Sequence, residues 1–423
     1  LENLGIKPAW FDDLDIGKQR EGINHRRMSN NSIAFTQKPN NDFMDLVFEM
    51  MQLDGEPGFV NLEVAAKRIV ASLGIENPTQ QYLDNIMHQI GLIPCVEVIL
   101  FSKNVCNLTT VNISAFVDDN GVLDREGLLR AQRFSARIGM RMTLATLELP
   151  EWHKTQQRDR LLGTSLTGWK DAMDKANFTQ EQEDELKKQL HFASRDEADS
   201  YAKKLRVNAP MFVTAVKPEG TLSQVMGGVS SGLHWSHSPY YKRRIRISAN
   251  DPLAKVARDL GWEIHAEVGT NGFLTEADLE KEAQITQSNT LVITFPVKSG
   301  AKVTKDDVSV DDQFDNYFSF QALYTEMNTS NTISVKEDEW KQAQKRVEAG
   351  WDDFVGVSFL AHDGGTYTLA PYEACAEAVY HELKNSMKPF NPDFLSLYEQ
   401  SETSEDLDGM DDPECVSGVC PIR

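Results

Sequence analysis

The sequence predicts an α/β protein, and three observations carry that reading. Segments with apolar residues at helical spacing alternate with short runs rich in Val, Ile and Thr. Of 423 residues, 40% are hydrophobic and 25% charged, the balance of an ordinary globular chain long enough for a large core. No internal repeat or heptad run organises it otherwise.

Taken in order, Asp42–Gln52 has helical spacing (Phe43, Leu46, Val47, Met50, Met51) and is broken by Gly55-Glu56-Pro57-Gly58. Leu62–Leu73 and Gln80–Ile90 read as two further helices. Val96–Phe101 and Thr109–Phe116 read as strands. Asp124–Leu147 and Thr179–Leu205 read as long helices. Asp251–Leu260, Glu337–Glu348 and Tyr372–Leu383 read as shorter ones. Phe212–Val216, Arg243–Ser248, Leu291–Phe295 and Phe354–Phe359 read as buried strands.

Sixty-four acidic residues against 43 basic give a formal charge of −21. That balance argues against a nucleic-acid coat or a polybasic membrane patch, since both need surplus cations to meet phosphate. No apolar run approaches the roughly 20 residues that cross a bilayer, so a cytoplasmic protein is expected. The chain opens on Leu1, which leads us to expect that it begins inside a longer reading frame or after a processing event.

The last stretch differs. From Glu399 to Glu414 eight of sixteen residues are acidic, a composition that predicts a mobile arm over residues 396–423 beyond a catalytic domain spanning 1–395. The arm ends in Cys415-Val416-Ser417-Gly418-Val419-Cys420. A zinc site needs about four N or S ligands, and no His or third Cys stands nearby. Two thiols on a tether fit a dithiol that exchanges with a distant disulfide.

The chemistry concentrates in Pro94-Cys95-Val96-Glu97. On an extended backbone Cys95 and Glu97 face the same side, and a thiol beside a carboxylate suits hydrogen abstraction by one and proton transfer by the other. Cys106 follows eleven residues later, close enough to return to the same cavity.

This pattern, with the terminal Cys-x4-Cys, resembles the catalytic subunit of ribonucleotide reductases, and most closely the monomeric, adenosylcobalamin-dependent (class II) ribonucleoside-triphosphate reductases. Arg27–Ile33, Gly55–Phe59, Lys217–Ser223, Gly228–His234, Asn331–Val335 and Ala370–Glu373 agree with that family in order and spacing. The resemblance implies a ten-stranded α/β barrel with a central finger loop, of which this chain supplies the loop, the second half and the redox tail. It implies that Cys95 carries a transient thiyl radical, that Glu97 is the base at the 3′-hydroxyl, and that Cys106 is one of two reducing thiols. Cys415 and Cys420 then re-reduce the resulting disulfide and are renewed by a thioredoxin-type partner. It further implies adenosylcobalamin as cofactor, a ribonucleoside triphosphate as substrate, and an upstream polypeptide carrying the first half-barrel and the partner thiol of Cys106. Substrate contacts are expected from Asn30, Ser32 and Ile93, and from Pro218, Glu219, Gly220, Thr221, Leu222 and Ser223. In that last segment, donors at a turn before a helix would hold phosphates, with Glu219 pointing away.

Two departures stand out. The family places Asn where this chain has Ile93, and an apolar side chain cannot supply those hydrogen bonds. No cysteine precedes Cys95, so the second reducing thiol must come from elsewhere. Alternatives are a class I catalytic fragment, whose adjacent tyrosines would have to be Tyr240-Tyr241, and a half-barrel that binds nucleotide without turnover. Cys375, in the helical pattern 371–383, is expected to be a core thiol. His234 and His237 lack a third metal ligand. Arg244 and Arg246, on one strand face, could meet phosphate, cobalamin or solvent.

Overall fold

The computed structural model describes residues 31–268, 279–299, 301–362 and 368–396. Asn30, the acidic arm, Cys415 and Cys420 therefore lie outside the described residues.

The strands, in chain order, are β1 (Ser32–Phe35), β2 (Gly58–Asn61), β3 (Ile90–Leu92), β4 (Ile99–Phe101), β5 (Asn107–Asn112), β6 (Leu162–Thr167), β7 (Tyr240–Ser248), β8 (Ile264–Ala266), β9 (Thr290–Lys298), β10 (Thr332–Val335), β11 (Gly356–Ala361) and β12 (Tyr372–Ala374). Between them run helices α1 (Asn41–Asp54), α2 (Leu62–Ser72), α3 (Gln80–Met87), α4 (Arg125–Met142), α5 (Pro150–Asp159), α6 (Trp169–Ala176), α7 (Gln180–Leu205), α8 (Leu222–Val225), α9 (Pro252–Asp259), α10 (Glu282–Gln287), α11 (Val310–Leu323), α12 (Trp340–Ala349) and α13 (Glu377–Ser386).

Among the described residues these strands form four open sheets, ordered β1-β2-β11-β10, β12-β7-β9-β8, β3-β4 and β5-β6, and none closes on itself. In the first, β1–β2 and β10–β11 are parallel pairs, while β2 meets β11 antiparallel. The β5–β6 pair is parallel too, and two parallel bridges, Thr164–Thr214 and Val216–Thr329, lead from it to the residues just before β10. The second sheet is antiparallel throughout.

Local chemistry sets the element ends. Asn40 caps α1 by accepting from the Phe43 N–H, and Gly55 ends it at φ +84 with its N–H on the Met51 carbonyl. A Cβ at Gly55 would sit 2.5 Å from the Phe359 carbonyl oxygen, so only glycine fits. Thr179 and Gln182 form a capping box at the head of α7. One core packs Phe35, Phe48, Phe59, Phe314 and Phe359 between the first sheet and its helices. Burying each such ring contributes roughly 1.5–3 kcal/mol. A second core packs α2 and α3 against Val98 and against Ile99, the first residue of β4.

The structure corrects several sequence boundaries. Val96–Val98 is not strand: β4 begins at Ile99. Residues 113–116 turn into a 3-10 helix after β5, and α4 stops at Met142. Residues 212–216 make only isolated bridges. The pattern at 372–383 splits into β12 and α13, leaving Cys375 half-buried between them and outside any helix, so it is not a core thiol. Strand β6, Leu-Gly-Thr-Ser-Leu-Thr, carries no alternation because it is buried along its whole length. Its hydroxyls are satisfied inside the fold, Thr164 by the Val213 carbonyl and Thr167 by that of Ser230.

Candidate active site

Cys95 sits in the six-residue turn joining β3 to β4. Their antiparallel register (Ile90 opposite Phe101, Leu92 opposite Ile99) brings the turn's ends together. The Ile93 N–H donates to the Val98 carbonyl at 3.3 Å, and the Val96 N–H to Ile93 at 2.7 Å. Val96 takes φ +65, an uncommon conformation for a β-branched residue, and its side chain is buried. That twist replaces the strand alternation expected from the sequence: Cys95 is exposed, whereas Glu97 is only 3% exposed.

Asn328, which precedes β10, clamps this turn. Its Nδ2 donates to the Val96 carbonyl at 3.1 Å and its N–H to the Glu97 carbonyl at 3.2 Å. The Tyr317 hydroxyl donates to Asn328 Oδ1 at 3.0 Å. Neither residue stands out in the sequence, because each reaches the turn from a distant element. Ile93 packs its side chain against the α2–α3 core, so it supports the hairpin and offers no polar group.

The carboxyl of Glu97 is unusual. Its Oε2 is buried without a hydrogen-bond partner. Burial pushes its pKa up to about 7, with Lys217 pulling it down and Glu219 pushing it up. Cys106, just before β5, is half-buried, and burial followed by the Glu97 carboxylate pushes its thiol up to about 12. The same two causes raise the Cys95 thiol, since the turn desolvates it despite its exposure. Both cysteines are therefore protonated at neutral pH, which suits an S–H that gives or loses a hydrogen atom and not a thiolate nucleophile.

Glu219 turns its carboxyl into the fold. It takes φ +60 and is 3% exposed. Its Oε1 accepts from the Thr110 hydroxyl at 2.8 Å and the Ser165 hydroxyl at 2.7 Å, while its Oε2 lies 3.6 Å from Lys217 Nζ. The chain thus brings Cys95, Glu97, Cys106, Lys217 and Glu219 into one electrostatic cluster.

The rest of the predicted phosphate segment is less helical than expected. Helix α8 has one turn, Thr221 provides no side-chain cap, and the Ser223 hydroxyl is engaged with Ser231 at 3.1 Å. Thr221 is exposed, and Pro218 and Gly220 line a cavity of about 280 Å³. Ser32 is exposed on the edge strand β1. The basic cluster is matched by acids: Arg244, 1% exposed, pairs with Glu373 at 2.5 Å, and Arg246 with Glu267 at 3.3 Å. This answers the sequence alternatives with intramolecular ion pairs. Among the described residues no group of three His, Cys, Asp or Glu could hold a metal ion, and no helix is long and apolar enough to cross a membrane.

No profile of a known protein family matches the chain. Its fold, though, is similar to that of a B12-dependent (class II) ribonucleotide reductase, with a TM-score of 0.69 at 22% identity over 93% of this chain and 54% of that one. In sequence it is similar to the adenosylcobalamin-dependent ribonucleoside-triphosphate reductase of Lactobacillus acidophilus, 25% identical over 97% of this chain and 55% of the relative. The enzymes of the same name from Lactobacillus gasseri (26%, covering 94% and 53%) and Lactobacillus leichmannii (25%, covering 97% and 56%) give the same picture. The likeness carried by Pro94–Glu97 and the other segments thus extends over nearly the whole chain, and the chain spans about half the length of the curated relatives it matches.

Proposed function

We propose that this chain is the catalytic half of an adenosylcobalamin-dependent ribonucleoside-triphosphate reductase, forming the second half of a ten-stranded α/β barrel that an upstream polypeptide completes. One observation carries the reading: a protonated, exposed thiol at a loop tip shares one electrostatic cluster with a buried carboxyl poised near neutrality and a second, half-buried thiol.

In this reading the Cys95 sulfur, as a radical, takes the 3′-hydrogen of the ribose. Glu97, ionised for half its population near pH 7, takes the 3′-hydroxyl proton. The 2′-hydroxyl leaves as water, and Cys106 with a second thiol supplies two electrons and the replacing hydrogen, closing into a disulfide. The Cys95 S–H returns its hydrogen to C3′. Overall, one ribonucleotide and one dithiol give one deoxyribonucleotide, one disulfide and water. Cys415 and Cys420 then exchange with that disulfide and pass it to a thioredoxin-type reductant. The substrate's phosphates rest against the open edge of the 218–223 turn at Gly220 and Thr221, while Glu219 and Ser223 hold the turn's shape.

Adenosylcobalamin, when bound, supplies the radical that starts the cycle. The residues fit such a group: Cys95 is exposed at its loop tip, open to a bulky cofactor. His234 has both ring nitrogens committed within the protein, to the Ser231 carbonyl at 2.9 Å and the Thr332 N–H at 3.0 Å, so it would not be among the residues that hold the group.

The test is deoxynucleotide formation from a ribonucleoside triphosphate and a dithiol, by this chain co-produced with the upstream half, with and without adenosylcobalamin. Cobalamin-dependent product that disappears in Cys95→Ala supports the reading. A folded complex that binds cobalamin yet forms no product would overturn it in favour of a non-catalytic half-barrel.

A further inference from the structure

We propose that the acidic segment Glu399–Glu414 docks on the solvent face of α4, seating Leu407 and Met410 among Phe134, Ile138 and Met142. That segment lies outside the described residues, whereas the surface it meets is described throughout.

Helix α4 carries Arg125, Arg130, Arg133, Arg137 and Arg141 against one acid, Glu126, in a chain whose formal charge is −21. Along one flank, α7 occupies part of this charge. Arg125 donates to Gln189, Arg137 to Glu197 and Arg141 to the Tyr201 hydroxyl. Arg130 and Arg133 stay exposed, and among the described residues neither forms an ion pair. On the flank away from α7, Phe134, Ile138 and Met142 are 62%, 40% and 41% exposed. Their four-residue spacing lines them up as one stripe, because a turn takes 3.6 residues. Among the described residues no other helix carries more than one large apolar side chain so exposed. Apolar surface left in water at three successive turns, beside two uncommitted cations, marks an interaction face.

The complement to this face is in the chain itself. Between Glu399 and Glu414 stand eight acids and no Lys or Arg. Leu407 and Met410 are the only aliphatic residues there, flanked by Glu405, Asp406, Asp408, Asp411 and Asp412. Apolar anchors set among acids match an apolar stripe set among arginines. Residues 1–30, the other long stretch outside the described residues, hold five acids and five bases and offer no such charge. From Ser396, the last described residue, eleven residues lead to Leu407, a reach of about 36–40 Å when extended. The radius of gyration of a chain this long is about 22 Å, so that reach covers much of the body's surface. Cys415 follows Met410 by five residues, so docking holds the Cys415 and Cys420 thiols near α4. Docking stands on this match alone; its purpose, a resting place for the dithiol between exchanges, rests on the reductase reading.

Photo-crosslinking of the full chain, alone and with the upstream half, tests this through Leu407→p-benzoylphenylalanine. Mass spectrometry of the single-chain product should place the cross-link within residues 130–142. Arg130→Glu with Arg133→Glu, and separately Phe134→Ser with Ile138→Ser, should each lower that yield roughly five-fold or more, with the far-ultraviolet dichroism unchanged. Sodium chloride at about 1 M, where the screening length falls to about 3 Å, should lower it too. Adding Asp406→Arg and Asp408→Arg to the Arg130→Glu, Arg133→Glu variant should restore the cross-link, which a merely damaged surface would not allow. The proposal is overturned if cross-links spread over the body without favouring α4, if they join two chains, or if neither pair of substitutions lowers the yield. Loss of the α4 cross-link once the upstream half is bound would also overturn it, and would give the stripe to the joint between the halves. None of these readouts involves turnover, so they stand apart from the test of the reductase reading.

Discussion

Asn328 is bonded to Val96 across 232 residues of sequence, its Nδ2 on the Val96 carbonyl at 3.1 Å, and this bond fixes the turn that presents Cys95. Replacing Asn328 by Ala removes the donor to the Val96 carbonyl and one of the two acceptors of the Tyr317 hydroxyl, the other being the Gly356 carbonyl, while the backbone N–H to the Glu97 carbonyl stays. A buried group left unsatisfied costs about 1–3 kcal/mol, so Asn328→Ala should lower stability by that amount. Tyr317→Phe, which removes one donor and leaves the clamp itself, should cost about 1 kcal/mol. Urea denaturation measures both, and limited proteolysis within residues 93–98 should accelerate more in Asn328→Ala. Equal proteolysis rates would mean that the turn holds without its clamp.

Gly356 at the head of β11 is packed directly on the same turn. A Cβ added there would lie 2.2 Å from Val96 Cγ1, inside any real contact distance. Gly356→Ala must therefore push Val96 out of its buried seat, at a cost of roughly 1–3 kcal/mol for overpacking. Val96→Ala removes the colliding methyl, so the double variant should be less destabilised than the sum of the two singles. A double-mutant cycle in denaturant reads this coupling directly. Strict additivity would show that the two side chains do not meet.

How much of this was legible beforehand depended on where the information lay. Pro94-Cys95-Val96-Glu97 and the eleven-residue step to Cys106 are local, and the structure gathers both thiols and the carboxyl into one cluster. The geometry of the pair was misjudged: alternation predicts Cys95 and Glu97 side by side on a strand, but Val96 at φ +65 makes a turn that exposes one and buries the other. The partners of Glu219 were hidden for the same kind of reason. A carboxylate in an anion-binding turn looks out of place until Thr110, Ser165 and Lys217 are seen around it, and those lie on β5, β6 and the preceding extended segment. Likewise β6 has no alternation to read, because both its faces are covered.

The raised Glu97 carboxyl gives a pH signature. Its folded pKa, about 7, stands above its ordinary value of 4.5, so the folded state binds the proton more tightly than the unfolded state. The stability this contributes is full below about pH 4.5 and is lost as pH rises through 7, an effect of about 3 kcal/mol at most. Glu97→Gln removes the titration, so its stability relative to wild type should improve steadily between pH 5 and pH 8. Denaturant midpoints across that range provide the measurement. A difference that stays flat with pH would place the Glu97 proton elsewhere.

Lys217 and Glu219 act on Glu97 with opposite signs, which makes the charge network testable by direction alone. Lys217 favours the ionised carboxylate and Glu219 opposes it, while Lys217 also lowers the Cys106 thiol. Glu219→Gln keeps an oxygen for the Thr110 and Ser165 hydroxyls and removes only the charge, so the Glu97 pKa should fall. Lys217→Met removes the cation, so the pKa values of Glu97 and Cys106 should both rise. It also leaves Glu219 buried without its ion-pair partner, and an unpaired buried charge costs about 3–5 kcal/mol, so this variant should be markedly less stable than Glu219→Gln. Carbon-13 titration of the side-chain carboxyls, with Glu97→Gln assigning the resonance, follows Glu97 in both variants. Opposite displacements are expected. If both substitutions moved Glu97 the same way, the two residues would be shaping its pocket and not its charge, and the proton at the foot of the Cys95 turn would be governed by burial alone.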